Sequence, residues 1–128
     1  METFLSSFSG FSVDSIAEAK EFYVNLLHLE DIDESSGLGL RLPGGGNLFI
    51  YEKEDHRPAT YTVLNFVVED IDAVIDEYVE KGLVFERYDN LPAEQDERGV
   101  LRGKDVGEGP NIAWFKDPAG NILALVEV

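Results

Sequence analysis

The side chains of this chain that could hold a metal or move a proton are chiefly carboxylates and imidazoles, since its 128 residues include 26 acidic residues and two histidines but no cysteine. Disulfides, thiolate metal sites and a cysteine nucleophile are therefore excluded. His56 stands in the run Glu54-Asp55-His56-Arg57-Pro58, shortly after Glu52. Glu52, Asp55 and His56 have the residue types of a metal site, but their spacing over a strand end and a turn gives no preferred convergence. His56 reads either as a solvated loop residue or as a group at a cleft mouth that contacts a ligand or acts as a base. His28, in Leu26-Leu27-His28-Leu29, reads as a residue at a helix C-terminus interacting with the dipole. Gly44-Gly45-Gly46 runs into Asn47 and a strand, so it lacks the helix and lysine of a phosphate loop. No G-x-S-x-G elbow is present. Carboxylates are so abundant that two of them close in sequence carry no information about general acid–base work.

The formal charge is −16, from 26 acidic and 10 basic residues. Such a field repels nucleic-acid backbones and anionic membranes, so neither is an expected partner. It serves solubility, or it attracts a cationic ligand. A hydrophobic content of 44% in a chain of this length suits one domain with its own core. No apolar run approaches the roughly 18 residues of a membrane span. Met1 to Phe8 lack the basic start and apolar core of a secretory signal, and the expected location is cytoplasmic.

The elements that must position these groups come in two rounds. Residues 8–13 read as a strand, and Asp14 or Ser15 can cap the helix that follows. Ile16, Ala19, Phe22, Tyr23, Leu26 and Leu27 fall at helical spacing. Three short strands are predicted over 29–33, 38–42 and 48–52, separated by Ser/Gly and Pro/Gly turns. The second round begins with a strand over 61–68 and a helix capped by Asp70 and closed by Gly82. Strands are predicted again over 83–87, 111–115 and 122–126. The predicted units cover about 6–53 and 60–128 of a single domain.

A shift of 55 positions superposes Phe11 on Phe66, Val13 on Val68, Ile16 on Ile71 and Tyr23 on Tyr78. A shift of 74 superposes Gly46-Asn47 on Gly120-Asn121 and Leu48 on Ile122. The difference, 74 − 55 = 19 residues, falls in a charged loop over about 89–109. A loop of that length is a lid, a binding loop or a partner contact. Its Gln95-Asp96-Glu97-Arg98-Gly99 reads either as a solvated charge run or as a lid whose acidic groups meet a ligand.

The segments FSVDSIAEAKEFYVNLL, NFVVEDIDAVIDEYVEKGLVFER and FKDPAGNILALVEV resemble the vicinal-oxygen-chelate superfamily, which includes glyoxalase I, extradiol dioxygenases and bleomycin-resistance proteins. The most specific piece is the turn Asp117-Pro118-Ala119-Gly120-Asn121. The resemblance implies an α+β fold: two βαβββ units, a curved eight-stranded mixed sheet with a cleft, helices outside and often a second copy of the chain. It also implies metal ligands on the first and last strands of each unit. Carried over by register, those positions are Phe8, Ile50, Val63 and Ala124, none of which can donate a lone pair. A metal and other cofactors are therefore not expected. The chain is similar to a bacterial subgroup that also lacks these ligands.

Strand alternation places Ser12, Glu52 and Asn65 on the same side as those four apolar positions. The side reads either as a filled core or as an apolar pocket with a few polar groups. Tyr61 and Trp114 are the expected aromatic walls, although both could be ordinary packing residues, and His56 is placed at the mouth. The leading expectation is metal-independent binding of a small organic molecule, of which a cationic drug would suit the charge, by a homodimer. The alternatives are a lyase, isomerase or dioxygenase-type enzyme, either metal-dependent through unconventional ligands such as Glu52 and His56 or metal-free with Glu52 as acid–base group, and an interaction module that docks a protein through the inserted loop.

Overall fold

The computed structural model describes residues 3–128. The chain divides into two compact units, Met1–Pro58 and Ala59–Val128. In the first, β1 (Ser9–Val13) leads into α1 (Ile16–Lys20) and then β2 (Glu30–Asp33), β3 (Leu38–Arg41) and β4 (Asn47–Glu52). The sheet order is β1-β4-β3-β2, with β1 and β4 parallel and the other pairs antiparallel. Parallel neighbours need a long crossover, and the helix with two strands supplies it.

Ser15 is the cap of α1, its Oγ accepting the Glu18 N–H at 3.2 Å. The helix widens to a π-helical segment over Glu21–Leu26, where the Leu27 N–H reaches Phe22 O at 2.9 Å. Its buried stripe is Ala19, Phe22 and Tyr23, and the sheet buries Val13, Leu38, Leu40, Leu48 and Ile50. Each large apolar side chain so buried contributes about 1.5–3 kcal/mol. His28 then turns the chain with φ 63°, and the Leu29 N–H closes the end on Tyr23 O.

The second unit repeats the plan with β5 (Thr62–Val67), α2 (Ile71–Glu80), β6 (Leu101–Arg102), α3 (Gly103–Val106), β7 (Asn111–Lys116) and β8 (Ile122–Glu127). Its order is β5-β8-β7-β6, with β5 and β8 parallel. Asp70 caps α2 through the Ala73 N–H, and Gly82 at φ 97° ends the helix turn. Among the described residues eight strands form two four-stranded mixed sheets, an α+β arrangement, and seven of them fall where the sequence predicts a strand.

One strand differs from expectation. Residues 83–87 keep only the bridge Phe85–Phe115 and the bond from Glu86 N–H to Trp114 O, and the edge strand of this sheet is β6 instead. The Gln95 side chain explains the loss. Its Oε1 accepts the Tyr88 N–H at 2.6 Å, and its Nε2 donates to Glu86 O at 3.0 Å and Gly99 O at 2.6 Å. A side chain thus takes backbone bonds that a neighbouring strand would have made. Among the described residues no helix is long and apolar enough to cross a membrane.

Candidate functional site

The turns that precede the last strands of the two units make the same backbone bonds, and this correspondence corrects the register read from sequence. Leu42 N–H donates to Gly46 O and Gly45 N–H to Leu42 O; Asp117 N–H donates to Asn121 O and Gly120 N–H to Asp117 O. The offset through this turn is therefore 117 − 42 = 75, not 74. The following strands agree: Gly10 pairs with Phe49 as Asn65 pairs with Ala124, offsets of 55 and 75. Phe49, not Ile50, is the equivalent of Ala124.

That one-residue shift turns β4 over. Ile50 is fully buried and pairs with Phe11, whose ring packs at 6.0 Å on Tyr23 of the helical segment. Glu52 lies on the same helix-facing side, where its Oε1 accepts the Ile16 N–H at 3.0 Å. Phe8 and Ser12 belong to the other side. Phe8 meets Phe49 edge-to-face at 6.3 Å, and Phe49 lies near-parallel to Tyr51, 19° between planes and 6.1 Å between centroids. Ser12 pairs with Tyr51 in register, and its Oγ lies 2.6 Å from His56 Nδ1. The turn that brings His56 back is closed by its N–H on Lys53 O.

The first unit therefore offers a row of three aromatic rings beside a hydroxyl–imidazole hydrogen bond. Phe8 is 69% and Tyr51 39% exposed, so aromatic surface is open to an incoming molecule. Of the residues expected at a site, Phe8 and Ser12 share this side of the sheet, and His56 reaches it through Ser12. Ile50 and Glu52 do not join them. Glu52 and His56, the unconventional metal ligands of the enzyme alternative, end on opposite sides of the sheet. Phe49 and Tyr51 were missed because the alternation was counted from the wrong parity.

In the second unit Asn65, Trp114 and Ala124 share the side turned away from α2, as their pairing requires. Trp114 Nε1 donates to Thr62 Oγ1 at 3.1 Å, and Tyr88 meets the indole edge-to-face at 5.6 Å. The Tyr88 hydroxyl is buried without a hydrogen-bond partner, and burial raises its pKa, so it stays a protonated donor. Val63 sits in a bulge between Thr62 and Leu64, and Tyr61 precedes β5, 68% exposed. Thr62, inside a predicted strand, and Tyr88, just after one, carried no sequence signal beyond being polar or aromatic.

The inserted segment is pinned rather than loose. Arg102 makes a bidentate bridge to Asp72 of α2 (3.0 and 2.8 Å) and a bond to Asp96 at 2.9 Å. The Asp96 carboxylate also accepts the Arg98 and Val100 N–H groups, and Arg98 pairs with Asp76.

A metal does not fit the positions that the resemblance assigns to its ligands. With the register corrected they are Phe8, Phe49, Val63 and Ala124, none with a donor atom. Among the described residues no three His, Asp or Glu side chains gather as a cation site requires.

No sequence-family model matches the chain, and no curated protein matches it. Solved structures do. A member of the glyoxalase/bleomycin resistance protein/dioxygenase superfamily from Sphaerobacter thermophilus is similar at TM-score 0.64 and 23% identity, over 97% of this chain and 98% of that one. Lactoylglutathione lyase from Agrobacterium tumefaciens is similar at TM-score 0.62 and 18% identity, over 98% and 96%. An antibiotic binding protein from Streptomyces sp. CB03234 is similar at TM-score 0.61 and 23% identity, over 98% of each chain. At these identities the likeness is one of fold: this chain has the vicinal-oxygen-chelate fold of the glyoxalase, bleomycin-resistance and dioxygenase proteins.

Proposed function

We propose that the chain is a cytoplasmic, metal-independent binder of small organic molecules, with a planar, cationic aromatic compound as the preferred ligand. The observation that carries this reading is the partly exposed row Phe8–Phe49–Tyr51, set beside Ser12 and His56. Aromatic faces hold flat ligands by stacking and attract cations by cation–π contact. The −16 charge supports the same preference through steering. A similar fold in an antibiotic binding protein supports drug sequestration as the biological use. A homodimer is part of the proposal; exposed Phe4, Leu5 and Val67 support it, the last on edge strand β5.

Calorimetric titration with planar aromatic cations and their neutral isosteres tests the reading. Phe49→Ala should weaken binding by roughly tenfold or more, the loss expected for one stacking partner. Unchanged affinity would remove this surface from consideration. Elemental analysis after supplying nickel, zinc, manganese and iron provides an independent check. About one metal per chain would overturn the metal-independent reading.

An enzymatic reading has one feature in its favour, the 2.6 Å contact between Ser12 Oγ and His56 Nδ1. Acid–base work here would use His56, because the Glu52 carboxylate is engaged by the Ile16 amide. Turnover of a bound compound, abolished by His56→Gln with binding retained, would establish it.

A further inference from the structure

A pocket of about 560 Å³ lies on the helix side of the second unit, between α2 and residues 83–99. It shares no residue with the surface proposed above. Ile75 and Val79 of α2 with Leu83 and Phe85 supply apolar wall, and Asp76, Arg87, Glu97 and Arg98 supply charge. The volume falls in the range that holds small ligands.

The charges are not equivalent. Arg98 is neutralised by Asp76 and Asp72. Arg87 donates only to carbonyls, Nη1 to Asp96 O at 2.9 Å and Nη2 to Gln95 O at 3.3 Å. Eight of the ten basic residues are ion-paired with carboxylates; among the described residues only Arg57 and Arg87 are not. In a chain with 26 acidic side chains, a guanidinium fixed at a pocket wall without a carboxylate is poised for an external one. Its planar fork matches a carboxylate with two parallel bonds.

We propose that this pocket is a second ligand site, for a small amphipathic monocarboxylate. The carboxylate meets the Arg87 guanidinium, and the apolar body rests on Ile75, Val79, Leu83 and Phe85. Glu97 at the same wall and the overall negative charge disfavour a second anionic group, which limits the ligand to one.

The experiment is an NMR titration of the full chain with octanoate, run beside octanamide as its neutral counterpart. Octanoate should shift the amides of Ile75, Val79 and Gly99 and the Arg87 Nε–H, and should bind more tightly than octanamide. Arg87→Gln should weaken octanoate by roughly tenfold and leave octanamide unchanged, since a charge-assisted pair is lost. Val79→Asp, at a side chain that is 53% exposed and so tolerant of change, should weaken octanoate as well. Equal binding of the two compounds would overturn the carboxylate assignment. Absence of shifts at these residues at millimolar concentration would overturn the site. Shifts confined to Phe49 and Tyr51 would place octanoate on the aromatic surface and also overturn it.

Discussion

Glu52 and Glu127 make the same bond in the two units. Each stands at the end of the last strand of its sheet, and each accepts the backbone N–H of the first residue of its own helix: Ile16 at 3.0 Å and Ile71 at 2.9 Å. A carboxylate at a helix N-terminus satisfies an orphan amide and opposes the positive end of the dipole. Glu127 also accepts Lys104 Nζ and Asn111 Nδ2, and its pKa is lowered, first of all by the Ile71 N–H.

Glu127→Ala should therefore cost about 1.5–3 kcal/mol, the range for hydrogen bonds to a charged group. Urea denaturation reads the loss. Glu52→Gln should leave the binding of an aromatic ligand unchanged, because its carboxylate is on the helix side. Weakened binding in Glu52→Gln, with stability intact, would put that carboxylate back at the site.

Arg102 joins the inserted segment to α2, and Arg102→Met should free it. Hydrogen exchange over residues 95–103 should quicken, with a stability cost of about 1–3 kcal/mol. Unchanged exchange would mean that the Gln95 amide bonds hold the segment by themselves.

The same groups set the response to acid. The hydrogen bond from Arg102 holds the Asp72 carboxyl below its ordinary 3.8, and the Ile71 amide holds Glu127 below its ordinary 4.5. A folded value below the unfolded one stabilises the fold above the unfolded value, and the contribution disappears as pH falls through the folded one. Stability should stay level from neutral pH to about 5 and then decline as these carboxyls protonate. In an Asp72→Asn, Glu127→Gln double variant the decline should be shallower. An equally steep decline would assign it to other carboxylates.

The architecture was legible because two periods repeat. Ile16, Ala19 and Tyr23 recur at helical spacing as Ile71, Val74 and Tyr78, and the turns carry glycine and proline. The site was legible only in part. Matching Gly46-Asn47 to Gly120-Asn121 follows residue identity, whereas the turn is defined by backbone bonds that align Gly45 with Gly120. A one-residue error reverses every side chain of a strand, so Ile50 was given the place of Phe49. The pair Glu52 and Glu127, with Ile16 and Ile71, carried the correct offset. Their shared role is visible only once the helices stand over the strand ends. The strand expected over 83–87 failed differently, because a distant side chain, Gln95, took its backbone bonds.

His28 occupies the left-handed position that ends the first helical segment, at φ 63°, a conformation that costs a non-glycine residue about 1 kcal/mol. His28→Gly removes that strain but adds freedom to the unfolded chain. A net gain of about 0.5 kcal/mol and a rise in Tm of roughly 2–3 °C are expected. His28→Val should lower the Tm instead. A lowered Tm in His28→Gly would show that the imidazole contributes more than the strain costs.

Gly37 tests whether the placement of the Phe49 ring matters to function. A Cβ at Gly37 would lie 2.7 Å from Phe49 Cζ and 2.7 Å from Ile50 O, too close for either to remain where it is. Gly37→Ala should therefore turn the Phe49 ring out of the row, weaken an aromatic ligand several-fold and cost about 1–3 kcal/mol of stability. Gly46→Ala is the control: its Cβ would meet only Leu42 Cδ1, at an ordinary 3.7 Å. Ligand affinity that survives in a destabilised Gly37→Ala would show that the ring is a packing element of β4. Affinity lost in Gly37→Ala but kept in Gly46→Ala would tie the binding surface to the orientation of that ring, since both are single-methyl changes next to the same strand.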